Sequence, residues 1–300
     1  MSDSDWVGDY DGEHVHEQKT PNGWTISYRS EPTRYYEIDR VKADCSVSEP
    51  LKVLDKPALP WWGQNVGVKA VLDLHRLGWT TEMLLQGKPP EMEMIEWAKL
   101  LSKGVLTENK LTVNHIRDEA GTRGQTVHDA LSFWATTGHV PRPEEFPTWE
   151  QGYVIALIAF LHDVPTLTPI GTELMVGSKT HSFAGRYDLR ATTDRAHKVV
   201  TKVYPKSPAK FTTVPDGEFL LDCKTASDVF PEHDLQLSAY EGASIESGYR
   251  PTDARIVLQL GADGRYQARR ARSTLNDWLA AKLMWEIMRR VEDDLKIAYR

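Results

Sequence analysis

The chain has 300 residues, 40% of them hydrophobic, ten tryptophans and a formal net charge of −7, which suits one large domain or a core with an added subdomain. Its longest apolar run, Tyr153 to Leu161, is far shorter than the ~20 residues of a membrane span, so no membrane partner is expected. Cys45 and Cys223 are the only cysteines; they allow at most one disulfide, exclude a disulfide-stapled fold and a four-cysteine iron–sulfur cluster, and favour a reduced, cytoplasmic protein.

The start of the chain, Met1-Ser2-Asp3-Ser4-Asp5, is acidic and polar and carries no visible secretory signal; residues 1–20 are expected to begin mobile. Aromatic and β-branched residues from Trp24 to Ile38 predict a hairpin. Residues 62–162 read as mostly helical, broken at Gly87-Lys88-Pro89-Pro90 and between Pro141 and Pro147. One of these helices is expected over Glu119–Thr136, opened by Gly121 and Gly124, with Val127, Leu131 and Phe133 or Trp134 inward; Tyr153–Leu161 should be the buried face of another. The period then changes. Thr172–Val176, Ser182–Thr192 and Glu218–Thr225 are strand candidates. The Lys- and Pro-bearing stretch Tyr204–Pro215 is either an extended hairpin or a loop. A helix over Asp234–Ser247 ends at Gly248. Ala254–Leu260 and Tyr266–Ala271 flank a hairpin turn, and a long amphipathic helix, Leu275–Ile297, closes the chain. The order predicts a mixed α/β fold, a central sheet flanked by helices, with an N-terminal, mostly helical elaboration over 1–114 and a core over 115–300.

The strongest chemical signal is Leu220-Leu221-Asp222-Cys223-Lys224-Thr225. In a strand, Asp222 and Lys224 share one face and Leu221 and Cys223 the other. An acid and a base at the end of an apolar run are costly unless partnered, although a surface ion pair would also satisfy them. Gly185-Arg186-Tyr187-Asp188 offers a second carboxylate, which antiparallel pairing would bring beside Asp222. Close carboxylates repel unless a proton or cation intervenes, and hard oxygen ligands suit Mg²⁺ or Mn²⁺. Gln236 and Tyr240, four apart, share a helix face. His128, one turn into its helix, is equally readable as a satisfied half-buried histidine.

Together these segments resemble the RecB-like branch of the PD-(D/E)XK nucleases, which includes many phage exonucleases. The matching pieces are Gly121-Thr122 with five residues to His128, Glu173, Gly185-x-x-Asp188, Asp222-x-Lys224-Thr225 and Gln236-x-x-x-Tyr240. They fall in the family's order over about residues 115–245; Cys45-Ser46-Val47 followed by Leu54–Trp62 is a looser match to the leader of phage members. Tyr187 stands where the family name has proline, and the separation of Asp188 from Asp222 is long.

The resemblance implies a restriction-endonuclease-like αβββαβ core and a metal-dependent DNA exonuclease of phage recombination or DNA processing, in a bacterial host cytoplasm. It implies one or two Mg²⁺ or Mn²⁺ ions held by His128, Asp188, Asp222 and the Cys223 backbone carbonyl. Lys224 would orient or activate water or neutralise phosphate charge, Gln236 and Tyr240 would position the lysine and the DNA, and Glu173 would be either catalytic or a structural ion-pair partner. DNA is the expected partner, with a single-strand annealing recombinase as a second; Lys202, Lys206, Lys210, Arg265 and Arg269 are the expected nucleic-acid contacts. A structure-specific endonuclease, an RNase and a non-catalytic DNA-binding protein on the same fold are the competing readings.

Overall fold

The computed structural model describes residues 15–30, 33–54, 58–204 and 207–298. The first strands are β1 (Val15–Lys19), β2 (Thr25–Arg29), β3 (Tyr35–Ile38) and β4 (Val41–Lys42), an antiparallel meander in that order. β2 and β3 are the expected hairpin; β1 adds a strand to a stretch whose polarity predicts none. The two-residue β5 (Cys45–Ser46) follows. Next come α1 (Ala58–Arg76), α2 (Thr81–Leu85), α3 (Met94–Leu101) and α4 (Val113–Thr137).

α4 begins earlier than its glycines suggest. The Thr112 hydroxyl accepts the His115 N–H at 3.3 Å at the start of the helix, and Gly121 and Gly124 lie inside it, where each costs ~1 kcal/mol relative to alanine. Val127 and Leu131 are buried as expected; of the two aromatic candidates Trp134 packs inward and Phe133 is exposed. α5 (Gln151–Asp163) buries Val154, Ala156, Leu157, Phe160 and Leu161.

The remaining elements are β6 (Thr168–Ser178), β7 (Phe183–Thr193), β8 (His197–Tyr204), β9 (Ser207–Val214), β10 (Gly217–Lys224), α6 (Pro231–Glu246), β11 (Ala254–Leu260), β12 (Tyr266–Arg270) and α7 (Leu275–Ala298). The Lys- and Pro-bearing stretch is thus part of a two-stranded β8–β9 hairpin. The central sheet runs β12-β11-β10-β7-β5, with β6 on β7. It is mixed: β10 pairs β11 parallel, with α6 as the crossover, and pairs β7 antiparallel.

Two cores cover the two faces. Leu221, Cys223, Ile256 and Leu258 pack with α4 and α5, whereas Leu220 and Val257 pack with α6 and α7. The chain is therefore mixed α/β, a mixed sheet between helical layers. Along β7 the alternation resets at Asp188: Phe183 and Tyr187 face α6 and α7, but Leu189 and Ala191 face α4 and α5. Pairing with β6 passes from Thr172↔Leu189 to Leu174↔Tyr187 and skips the rung between them. Glu173 at that rung has φ 53°.

The chain forms two compact units, residues 1–54 with 126–300, and residues 55–125. The N-terminal strands thus belong with the central sheet, and the cuts fall after Leu54 and Gln125 rather than at 114. In the smaller unit Val66, Ala70 and Leu74 are buried on α1, Thr80 caps α2 by accepting the Met83 N–H, and Trp97 Nε1 donates to Leu84 O at 2.9 Å. No helix among the described residues is long and apolar enough to cross a membrane. Both cysteines are buried and unpaired.

Candidate metal centre

The skipped rung of the sheet is where the chemistry gathers. α4 brings His128, β6 brings Glu173 and β7 brings Asp188, and one ligand atom from each lies within 4.8 Å of the others. His128 Nδ1 is 3.3 Å from Glu173 Oε1 and 3.3 Å from Asp188 Oδ1. The second Asp188 oxygen accepts the Cys223 N–H at 2.6 Å. The β7–β10 register ends two residues before Cys223, at Leu221↔Leu189, so this side chain serves a β10 N–H beyond the end of the ladder. The Asp188 carbonyl accepts the Thr172 hydroxyl at 2.8 Å, so the opened rung is satisfied from both sides.

Asp222 and Lys224 point together, as the strand period requires, and Lys224 Nζ lies 2.6 Å from Asp222 Oδ2. The contact is a short ion pair between a buried carboxylate and an ammonium. The Asp222 side chain is 1% exposed and that of Lys224 20%. Burial pushes the Asp222 carboxyl above its ordinary value, and Asp188 adds to this against the pull of Lys224 and His128. Burial alone would push the Lys224 ammonium down; Asp222 and Asp188 outweigh it and hold it up. His128, 28% exposed, is pushed up to about 9, chiefly by Asp188, with burial opposing and Glu173 assisting.

α6 closes the other side. Pro231 stands at its first turn, where a missing N–H costs nothing, and the His233 ring accepts the Phe230 N–H at 3.2 Å. Gln236 Nε2 donates to the Tyr240 hydroxyl at 2.9 Å. Burial, then the fields of Asp222, Tyr36 and Asp188, hold that hydroxyl well above its ordinary value. Gly185 lets Tyr240 approach β7: a Cβ there would sit 2.7 Å from Tyr240 Cε1.

The structure brings His128, Glu173 and Asp188 into one cluster, pairs Asp222 with Lys224 and Gln236 with Tyr240, and places Asp222 in the field of Asp188 and Tyr240 in the fields of both aspartates. Glu173, readable from sequence either as catalytic or as a structural ion-pair partner, stands in the cluster and also pairs with an arginine. The expected nucleic-acid contacts divide. Lys210 is exposed on β9, while Lys206 and the Lys202 side chain lie outside the described residues. Arg265 is engaged with Asp263 in its own turn, Nε to Oδ2 at 2.8 Å. Arg269 is exposed on β12, on the register row Asp222↔Val257↔Arg269. Arg186 was not expected; its Nε lies 2.7 Å from Glu173 Oε2. The signal for it was the position two residues before Asp188, opposite the strand that carries an isolated glutamate.

One imidazole and two carboxylates whose ligand atoms lie within 4.8 Å of one another form a donor set suited to a hard divalent cation, and the buried Asp222 carboxylate, paired with Lys224, lies in the field of Asp188. The two surface cavities described, one lined by Phe133, His139, Val140, Arg142 and Glu145 and one along α1, include none of these residues. No family model matches the chain, and no curated protein matches it.

Proposed function

We propose that the protein is a Mg²⁺- or Mn²⁺-dependent deoxyribonuclease that hydrolyses phosphodiester bonds at this cluster. The observation that carries the reading is Asp188, whose one oxygen faces His128 while the other holds the Cys223 N–H. One carboxylate thereby ties the histidine layer to the Asp222–Lys224 strand end. The run α5, β6, β7, β10, α6, β11 has the helix, three strands, helix, strand order of a restriction-endonuclease-like core, and supports the same reading.

His128, Asp188 and Asp222 would hold the ion, with the Cys223 carbonyl and Glu173 as further ligands. A bound divalent ion lowers the pKa of its water and screens developing phosphate charge. Lys224, an ammonium at neutral pH by its ordinary pKa of ~10.4, neutralises charge on the attacked phosphate. Arg186 holds Glu173 in place, and Gln236 fixes the Tyr240 hydroxyl beside Asp222. In the net reaction a water oxygen bonds to phosphorus as the P–O ester bond breaks. The water proton leaves to a neighbouring base and the departing alkoxide is protonated. The substrate is expected to be DNA degraded from an end.

The test is Mn²⁺-dependent release of nucleotides from labelled linear DNA. Asp222→Asn and Lys224→Gln should each lower the rate at least ~100-fold, with folded-state circular dichroism retained. Near-wild-type hydrolysis by either folded variant would overturn the proposal.

A further inference from the structure

Beside the cluster, three rings form a row across the N-terminal meander. His16, Tyr28 and Tyr36 are register partners on β1, β2 and β3, with ring centroids 6.4 Å and then 4.9 Å apart. Two residues along, the same face carries Ile26 and Ile38, which close on Gly177 of β6; a Cβ at Gly177 would sit 2.5 Å from Ile38 Cδ1. Gln18, on that row, accepts the Met175 N–H at 2.8 Å. The meander is therefore seated on β6 at a fixed height.

The inner ring, Tyr36, packs against Ile38, Ala43 and Ala184, and Ala184 precedes Arg186 by two residues on β7. Its hydroxyl lies in the fields of Arg186 and Glu173. Tyr36 and Tyr28 are both half-buried, and the outermost ring, His16, is exposed. A row that served only as core would be covered throughout. Arg34 stands exposed at the same end of the meander, Arg29 is ion-paired with Glu37 on the other face of β2, and the Arg186 side chain, which holds Glu173, is 39% exposed.

We infer that this row is a stacking platform for unpaired nucleobases of the strand being cut, an inference that rests on the nuclease reading above. Flat rings accept any base, since every base has a π face, and nearby arginines hold the intervening phosphates. A duplex keeps its bases inside its own stack. The substrate class is accordingly single-stranded DNA or a frayed end, fed over His16, Tyr28 and Tyr36 toward Asp188.

The experiment is fluorescence anisotropy of the full chain, in EDTA, with a labelled single strand of about ten nucleotides. Tyr28→Leu should weaken binding ~10-fold and Tyr28→Phe should not. His16→Ala, an exposed change without folding risk, should weaken it in the same direction. An abasic strand of equal length should bind the wild-type chain as weakly as the normal strand binds Tyr28→Leu. The platform is refuted if the abasic strand or a blunt duplex binds as tightly as the normal single strand, or if Tyr28→Leu and His16→Ala both bind as wild type. The two readings fail separately: base-dependent binding without metal-dependent cleavage removes the nuclease and leaves the platform. Cleavage with a KM unmoved by both variants removes the platform and leaves the nuclease.

Discussion

Glu173 holds a left-handed backbone, φ 53°, which costs a side-chain-bearing residue roughly 1–2 kcal/mol. It does so at the rung opposite Asp188, which the β6–β7 pairing skips. Strain of this kind persists where surrounding contacts over-determine it, and here Arg186 and His128 both grip the carboxylate. Glu173→Gly and Glu173→Ala remove the same carboxylate but differ in backbone cost. The glycine variant should be the more stable by about 1 kcal/mol, the reverse of the usual order in a strand. Urea denaturation of the pair measures this, and an alanine variant as stable as the glycine variant would contradict it. Both should bind Mn²⁺ more weakly than the wild-type chain.

His128 supplies a second residue-scale prediction. Its folded pKa is raised to about 9 from an ordinary 6.5, so the folded metal-free chain binds that proton more tightly than the unfolded chain. The stabilisation is fully present below pH 6.5 and is lost as pH rises through 9. Between pH 6 and 9 the wild-type chain should lose on the order of 3 kcal/mol more stability than His128→Gln. Denaturation midpoints in EDTA at the two pH values measure the difference. Parallel losses in the two proteins would show that the histidine carries no such proton.

At the scale of elements, what was legible followed from periodicity and punctuation. The hairpin at Trp24–Ile38, the strand ending at Lys224, the helix stopped near Gly248 and the C-terminal helix all have apolar spacing that one face of one element can use. The antiparallel pairing of β7 with β10 was legible too, and it ends at Leu221↔Leu189, one rung short of Asp188 and Asp222. What escaped were features set by tertiary packing. β1 is polar in sequence and exists because β2 offers an edge and Gln18 ties it to β6. The start of α4 escaped because its glycines resemble an opening turn, whereas Thr112 does the capping. The face reversal at Asp188 has no counterpart in the alternation of Phe183-Ala184-Gly185-Arg186-Tyr187. Gly185 marks the fit of α6 to β7. In Gly185→Ala the new methyl would meet Tyr240 Cε1 at 2.7 Å and Val47 Cγ2 at 2.8 Å, and overpacking of this kind costs about 1–3 kcal/mol. Thermal unfolding gives the cost; a melting temperature equal to wild type would mean that α6 yields freely.

For the whole molecule, sequence distance and spatial distance part company. Val47 and Leu51 lie in the same core as Trp278, Phe183 and Tyr240. Trp278 Nε1 donates to Val47 O at 3.0 Å across 231 positions, and its ring sits 4.3 Å from that of Phe183. β5 occupies the sheet edge beside β7, and Asn22 N donates to Ser247 O at 3.3 Å. The segment from Cys45 to Leu51 is therefore a wall of the core that carries the cluster. A chain beginning at residue 115 holds every residue of the metal centre, yet it lacks Cys45, Val47 and Leu51 and uncovers Trp278. Burial of side chains of that size is worth about 1.5–3 kcal/mol each, against a total stability of ~5–15 kcal/mol for a typical protein. Such a fragment should show no cooperative thermal transition and should bind hydrophobic dyes at room temperature. Trp278→Ala in the full chain should cost about 3–5 kcal/mol without touching the cluster, which separates loss of the wall from loss of the site. A sharp melt of the 115–300 fragment, at the temperature of the full chain, would show instead that the sheet stands without its N-terminal strands.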